Sequence, residues 1–222
     1  FKSYRGHIWT RTDPDRTGFP PGLRADFGYA RWVDYLLQTP MLFRKTDLGW
    51  QDAHGASFGT WLREGIDGSF PTWADWELHQ TSVFPEVRIK RTIEVRGADC
   101  VDPAMALAFC ALFTGLLYCN AALDEAMTLV AEIEQHESRD KRFEIACRDG
   151  LAGIIGGRSL GDWASDLGDI ADRGIAQCLP ADRPKIEPLL ARIDAGRSPA
   201  DELLEAWNRD PSSRAVIAAA TY

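Results

Sequence analysis

The most constraining feature of the sequence is a regular alternation of apolar and charged residues between positions 83 and 99. The even positions from 86 to 96 carry charged residues or threonine. The odd positions carry the apolar residues Val83, Val87, Ile89, Ile93 and Val95. A period of two over this length predicts one β-strand with an apolar and a charged face, interrupted on the apolar side by Arg91.

The charged face of this predicted strand has two interpretations. In the first, the strand is antiparallel to its neighbours and its charged face is simply solvated. In the second, the face is a ligand site, because a carboxylate can hold a hard cation and a guanidinium group can clamp a phosphate or carboxylate. A site for a magnesium–nucleotide complex requires both groups together. The pattern alone leaves both interpretations open.

The remaining patterns predict a mixed first part and a helical second part. Tyr4–Thr10 is predicted as a strand, followed by a loop over Arg11–Gly22 that is rich in turn formers. Helices are predicted over 26–38, 57–63, 72–79, 103–134 (one long helix or a broken pair), 141–151, 159–179, 184–195 and 198–208. The predicted fold class is α+β, with a sheet segment over 1–102 and a helical region over 103–222.

Charge and composition exclude several classes of protein. The 222 residues are 45% hydrophobic and 26% charged, which are ordinary globular values. The net charge of −8 argues against broad, nonspecific nucleic-acid binding, which needs a basic face. We therefore expect no nucleic-acid partner.

One uncharged segment, Pro103–Leu123, has the length of a membrane span. It is flanked by Asp102 and Asp124 rather than by the Lys or Arg that set membrane topology. Its alanine-rich composition favours a buried core helix, so no membrane association is expected.

The cysteines and the amino terminus bear on the compartment. Five cysteines, at positions 100, 110, 119, 147 and 178, form no CxxC motif and are odd in number. This favours mostly buried thiols in a reducing compartment. The first residues are polar and do not resemble a signal peptide. These observations predict a cytoplasmic protein; because residue 1 is Phe, the chain is expected to be processed or part of something longer.

Generic motifs such as Walker A, GxGxxG, HExxH and GxSxG are absent from the sequence, but longer motifs resemble a known family. In chain order they are SYRGHIWTRTDPDRTG (3–18), PM (40–41), DWELHQTSVFPEVRIKRTIEVRGAD (75–99), FTGLLY (113–118) and SPADELLEAWN (198–208). Together they resemble the carboxyl-terminal half of glutamate–cysteine ligases of the plant and proteobacterial type. That resemblance implies an ATP-dependent ligase with a glutamine-synthetase-like antiparallel sheet, and a missing amino-terminal half with further metal ligands.

The resemblance also implies roles for individual residues. Glu94 matches a magnesium ligand, and Arg96 matches the arginine that faces the transferred phosphate; these are the predicted catalytic residues. Positive charge for the polyphosphate would come from Arg88 and Lys90 together with Arg96. The predicted substrate-binding residues are Arg5, Trp9, Asp13, Asp15 and Arg16.

The implied reaction joins the γ-carboxylate of glutamate to the amine of cysteine through an acyl phosphate. The expected ligands are glutamate, cysteine and ATP with Mg²⁺ or Mn²⁺, and further partners would be a second copy of the chain or the amino-terminal half. Two alternatives remain open: a related ligase with another acceptor amine, and a catalytically incomplete fragment or binding module that needs the missing half.

Overall fold

The computed structural model describes residues 1–20 and 27–221, so the loop prediction beyond position 20 and the first predicted residue of the 26–38 helix lie outside the described residues. The α-helices are α1 (Tyr4–Trp9), α2 (Tyr29–Gln38), α3 (Phe58–Glu64), α4 (Trp73–Thr81), α5 (Pro103–Tyr118), α6 (Asn120–Ile133), α7 (Arg139–Asp149), α8 (Leu160–Cys178), α9 (Glu187–Asp194), α10 (Pro199–Arg209) and α11 (Ser213–Ala219). The strands are β1 (Thr17–Gly18), β2 (Phe43–Thr46), β3 (Gly49–Asp52), β4 (Phe84–Pro85), β5 (Val87–Ile89), β6 (Ile93–Val95), β7 (Ile154–Ile155) and β8 (Arg158–Ser159).

The predicted strand over Tyr4–Thr10 is wrong, because this segment forms helix α1. The Ser3 hydroxyl accepts a hydrogen bond from the backbone N–H of Gly6 at 3.1 Å, as a helix cap does. Gly6 also lies close to α7, since a Cβ at this position would stand 2.5 Å from Cys147 Sγ. Local capping and tight packing therefore override the β-propensity of the side chains.

The single strand predicted over 83–99 is also wrong, because the segment is a short strand, β4, followed by the β5–β6 hairpin. In the hairpin Arg88 pairs with Glu94 and Ile89 pairs with Ile93, so even positions face even positions and odd face odd. The turn is closed by a hydrogen bond from Lys90 N to Thr92 O at 3.1 Å. The alternation therefore passes through the turn unbroken, and Arg91 lies at the tip.

Several predicted helices are confirmed, and side-chain caps lie at their starts. Ser57 caps α3, and Thr72 with Asp75 forms a reciprocal capping box on α4. The predicted 103–134 segment is a broken pair, α5 and α6, bent by 98°. Helix α11 was not predicted from the sequence.

The carboxyl-terminal helices pack around a contact between two glycines. A Cβ on Gly115 of α5 would stand 2.1 Å from the carbonyl oxygen of Ala171, and a Cβ on Gly174 of α8 would stand 2.2 Å from the carbonyl oxygen of Gly115. The two backbones are therefore close enough to exclude any side chain. Around this contact lies a core that includes Leu116, Ile175 and Ile186.

The chain divides into two compact units. One comprises residues 8–98, and the other comprises residues 1–7 with 99–222. In the first unit two buried clusters, one around Phe58 and Trp61 and one around Trp32 and Leu36, both contact Trp76. The strands of the described residues form four two-stranded sheets, which fits the α+β class, whereas the glutamine-synthetase-like sheet stays a prediction.

Within residues 1–20 and 27–221, no single helix is both long and apolar enough to cross a membrane. Helices α5 and α6 meet the length and composition criteria only as a sharply bent pair. One face of α5, including Met105 and Ala108, is buried in the fold.

Candidate functional site

The β5–β6 hairpin brings together three of the residues predicted for phosphate and metal binding. Arg88 and Glu94 are paired across the two strands, and Arg96, one residue past the end of β6, contacts Glu94. One carboxylate oxygen of Glu94 accepts a hydrogen bond from Arg88 Nε at 2.9 Å and lies 2.8 Å from one of its terminal nitrogens. The other oxygen accepts one from Arg96 at 2.7 Å. Two guanidinium groups therefore flank a single carboxylate.

These contacts control the protonation of the carboxylate. Desolvation acts to raise the pKa of Glu94, but the hydrogen bonds and positive charges of Arg88 and Arg96 outweigh it and hold this pKa below its usual value. Glu94 therefore stays ionised at neutral pH. Its side chain is 42% exposed, so the cluster is reached by solvent and solutes.

Both arginines are anchored beyond Glu94. Arg88 also donates to the carbonyl oxygen of Val83 at 3.2 Å, and its side chain is only 14% exposed. The guanidinium carbon of Arg96 lies 5.9 Å from the ring centre of Phe84. The backbone N–H of Arg96 donates to Glu86 O at 2.9 Å, which joins the end of β6 to the residue just before β5. The two positive charges are thus held in place before any ligand arrives.

The charged side of the hairpin forms one wall of an open groove, and helix α4 forms the other. The groove encloses about 910 Å³, within the range of about 300–1,000 Å³ typical of small-molecule sites. We call it the α4–hairpin groove; it is lined by Trp73, Trp76, Glu77, Leu78, Gln80, Thr81, Arg88, Lys90, Arg91, Thr92 and Glu94. Predicted residues Arg88, Lys90 and Glu94 therefore share one cavity.

The sequence interpretation did not assign a role to the helical wall of this groove. The sequence predicted a helix over 72–79, but one helix gives no indication of the strands that it faces. Arg91 was noticed only as a break in the alternation. Its place at the turn explains that break and brings it into the groove beside Lys90.

The loop that carries Asp13, Asp15 and Arg16 is joined to the hairpin region by backbone pairing. Strand β1 pairs in parallel with β4, and Phe84 N donates to Arg16 O at 2.7 Å. The Arg16 side chain is buried; its Nε donates to Asp13 at 2.7 Å and a terminal nitrogen donates to Pro40 O at 2.5 Å. Asp15 is exposed. Arg16 thus holds the loop together at this position.

The two remaining predicted substrate contacts lie in α1. Trp9 belongs to the unit formed by residues 8–98, and its indole N–H donates to Phe84 O at 3.2 Å. Arg5 belongs to the unit formed by residues 1–7 and 99–222, and its side chain is half-buried. The roles predicted for both residues stay predictions.

The predicted metal ligand does not complete a metal site by itself. Mg²⁺ takes close to six oxygen ligands, and both oxygens of Glu94 are already bonded to arginines. Across the described parts of the chain, no three or more Asp, Glu, His or Cys side chains are grouped to hold a metal. Mg²⁺ or Mn²⁺ at Glu94 therefore stays a prediction.

Comparisons with known proteins agree with the resemblance found in the motifs. Residues 1–219 match the family model described as glutamate-cysteine ligase family 2 (GCS2). The chain is 34% identical over 219 residues to a chloroplastic glutamate–cysteine ligase of Brassica juncea. The aligned region covers 94% of this chain and 41% of that protein. The corresponding enzyme of Arabidopsis thaliana is also 34% identical, over 94% of this chain and 40% of the relative. The chain therefore spans less than half the length of these relatives.

These names also correct one prediction. The relatives from Brassica juncea, Arabidopsis thaliana and Medicago truncatula are all named chloroplastic, which contradicts the predicted cytoplasmic location. Thiol content and a polar start were poor evidence, because organelle targeting is carried by separate segments and not by the composition of a folded domain. The match over 219 residues and the identity to these ligases lead to the same conclusion: the chain belongs to glutamate–cysteine ligase family 2.

Proposed function

We propose that this chain carries the phosphate-handling part of a glutamate–cysteine ligase that makes γ-glutamylcysteine from glutamate, cysteine and ATP. The observation that carries this proposal is the Arg88–Glu94–Arg96 cluster, two arginines fixed on one ionised carboxylate beside an open groove. The match to the ligase family supports the same chemistry.

The proposed reaction has two steps. An oxygen of the glutamate γ-carboxylate attacks the γ-phosphorus of ATP, the bond to the bridging oxygen breaks, and ADP leaves. The cysteine amine then attacks the acyl carbon, loses a proton to solvent and expels phosphate. The released phosphate retains the glutamate oxygen that attacked ATP in the first step. Both steps move negative charge through the transferred phosphoryl group, so that positioning and charge neutralisation are the main tasks of the protein.

The arginines of the cluster suit those tasks. Arg96 is proposed to face the transferred phosphoryl group, and Arg88 with Lys90 to supply positive charge for the polyphosphate. Glu94 holds both guanidinium groups in place through its two oxygens. Because the arginines are ordered by this carboxylate, little reorganisation is needed when a phosphate binds.

The substrate contacts belong to the proposal as well. Arg5, Trp9, Asp13 and Asp15 are proposed to contact glutamate or cysteine. Arg16 is buried and bonded to Asp13 and Pro40, so its part is to shape the loop that presents them.

A second candidate is a chain that binds nucleotide but needs another polypeptide for turnover, either a second copy or an amino-terminal half. Two observations favour it: the chain spans about 40% of the relatives' length, and a single carboxylate lies in the cluster. A ligase with another acceptor amine is the remaining variant, since no described contact identifies the acceptor.

The test is product analysis by mass spectrometry. The chain is incubated with ATP, magnesium chloride, glutamate and cysteine, and γ-glutamylcysteine and ADP are quantified beside Glu94→Gln and Arg96→Ala variants. Equal amounts of both products, lost in both variants, would support the ligase. ATP binding without product would support the incomplete chain, and product only with other amines would identify a different acceptor. A chain that binds no ATP and forms no product would contradict the proposal.

A further inference from the structure

The helical wall of the α4–hairpin groove carries an aromatic ring that the proposed reaction does not use. Trp73, the first residue of α4, is 73% exposed although it lines the groove. A large apolar ring left in water beside a charged cavity is an unusual use of tryptophan, which is highly buried on average. At this position the ring presents a flat apolar face to the groove.

The neighbouring tryptophan of the same groove has a structural role instead. The Trp76 ring packs edge-on against Phe58 at 5.0 Å between ring centres and lies 6.2 Å from the ring of His79. It also contacts both buried clusters of its unit. Trp76 is therefore fixed in the core, and Trp73 is the ring available to a solute.

The opposite wall carries positive charge that is not neutralised within the protein. Lys90 and Arg91 are exposed, and neither forms an ion pair with any residue in the described ranges. Glu94 is already shared by Arg88 and Arg96. The charge at the hairpin turn is thus free to meet an anion.

The amino end of α4 does not compete for that anion. The side chain of Thr72 accepts from Asp75 N, and the Asp75 carboxylate accepts from Thr72 N at 2.7 Å. With the helix end capped in this way by a carboxylate, the positive charge of the groove lies on the hairpin.

We propose that the α4–hairpin groove is a nucleoside triphosphate site in which Trp73 stacks on the base while Lys90 and Arg91 bind the polyphosphate. The groove is large enough for such a ligand, at about 910 Å³. This inference rests on the proposed function for its choice of ligand, and it adds Trp73 and Arg91 to the residues expected to contact it. Base stacking on an aromatic side chain does not depend on which base is present, so the site tolerates other nucleotides.

The experiment measures binding rather than turnover. Isothermal titration calorimetry is run on the full chain with magnesium ATP and, separately, with magnesium tripolyphosphate, which has the charge but no base. Trp73→Ala is expected to weaken ATP binding by about 5- to 150-fold, equivalent to about 1–3 kcal/mol, and to leave tripolyphosphate binding unchanged. Trp73→Phe should retain most of the ATP affinity.

Two further variants separate the parts of the site. The double variant Lys90→Ala, Arg91→Ala is expected to weaken both ligands, because it removes charge common to both. Trp50→Ala removes a ring on β3 that is 61% exposed and outside the groove, and it should change neither affinity. Thermal unfolding followed by circular dichroism checks that each variant is folded, which is expected since all these side chains are exposed.

Each outcome is decisive. Equal ATP affinity in Trp73→Ala and the wild type, equal losses of both ligands in Trp73→Ala, or no binding of ATP at all would overturn the inference. If Trp73→Ala weakens ATP binding selectively but no γ-glutamylcysteine forms, the nucleotide site stands, and a complete ligase is replaced by the second candidate, a chain that needs another polypeptide for turnover. If product forms but Trp73→Ala binds ATP normally, the function stands and this inference fails.

Discussion

Replacing Arg16 with alanine tests whether this predicted substrate residue acts as a scaffold. Its side chain is 7% exposed and connects two parts of the chain, Asp13 at 2.7 Å and the carbonyl oxygen of Pro40 at 2.5 Å. The backbone of Arg16 also pairs with Phe84. Removing the guanidinium group therefore deletes the side-chain link between the loop and Pro40, and it leaves a carbonyl oxygen that has lost a charged donor.

The size of the effect follows from these two contacts. A hydrogen bond to a charged group contributes about 1.5–3 kcal/mol. The contact to Asp13 counts for less, below about 1 kcal/mol, because solvent screens a carboxylate that is 44% exposed. We expect Arg16→Ala to destabilise the protein by about 2–4 kcal/mol. For a chain of this size, that lowers the melting temperature by roughly 4–16 °C.

The assay is thermal unfolding by circular dichroism, with Arg63→Ala as the matched control. Arg63 lies on an exposed face of α3, so its removal should change stability by no more than about 0.5 kcal/mol. An Arg16→Ala variant that melts within about 1 °C of the wild type would refute the scaffold reasoning. An unchanged melting temperature together with weaker glutamate binding would indicate instead that Arg16 contacts the substrate directly.

Three further predictions concern packing and protonation. Gly115→Ala should destabilise the protein by about 1–3 kcal/mol in chemical denaturation, because its Cβ would stand 2.1 Å from the Ala171 carbonyl oxygen. The control Gly161→Ala in α8 should be neutral or stabilising, because its Cβ would meet its nearest atoms only at 3.4 Å. Equal effects of the two substitutions would contradict the close contact at Gly115. Burial lowers the pKa of His79, so that the neutral ring is favoured in the folded protein. The free energy of unfolding should therefore fall as the pH drops below 6.5, and His79→Gln should reduce that loss. Identical stability–pH profiles for the wild type and His79→Gln would contradict this. Glu94→Gln should be less stable than the wild type at neutral pH, with the difference shrinking as the pH falls below about 4.5 through the lowered pKa of Glu94; a difference independent of pH would count against the ion cluster.

The elements that the sequence located best are those with local signals. Ser57, Thr72 and Ser159 cap helices that begin one residue later, because a side-chain oxygen meets a backbone N–H three residues on regardless of tertiary contacts. The glycine pair Gly156–Gly157 is a sequence pattern typical of turns, and with φ angles of 58° and 80° it connects β7 to β8. Such signals need no knowledge of the rest of the fold.

The elements that were predicted wrongly depend on distant contacts or on a coincidence of register. Helix α1 forms where Gly6 allows close approach to Cys147, and nothing near Gly6 in the sequence indicates that partner. The 83–99 pattern is the same for one long strand and for a hairpin whose pairing keeps even residues opposite even ones. Only the closed turn at Lys90 and Thr92 distinguishes the two structures.

The candidate site shows the same division. The period of two predicted a common face for Arg88, Glu94 and Arg96. The pairing of the hairpin preserves this arrangement. That Glu94 bonds to both arginines, and that α4 supplies the second wall with Trp73, required the tertiary structure. Sequence periodicity gives the face of an element, whereas the cavity in front of it depends on another element.

The most direct test of the central claim follows the glutamate oxygen. Glutamate labelled with ¹⁸O in its γ-carboxylate is incubated with the chain, ATP, magnesium chloride and cysteine, and the released phosphate is analysed by mass spectrometry. An acyl-phosphate route transfers one labelled oxygen to phosphate for each γ-glutamylcysteine formed, and Arg96→Ala should abolish both. Phosphate without label, or AMP and pyrophosphate in place of ADP and phosphate, would contradict the account.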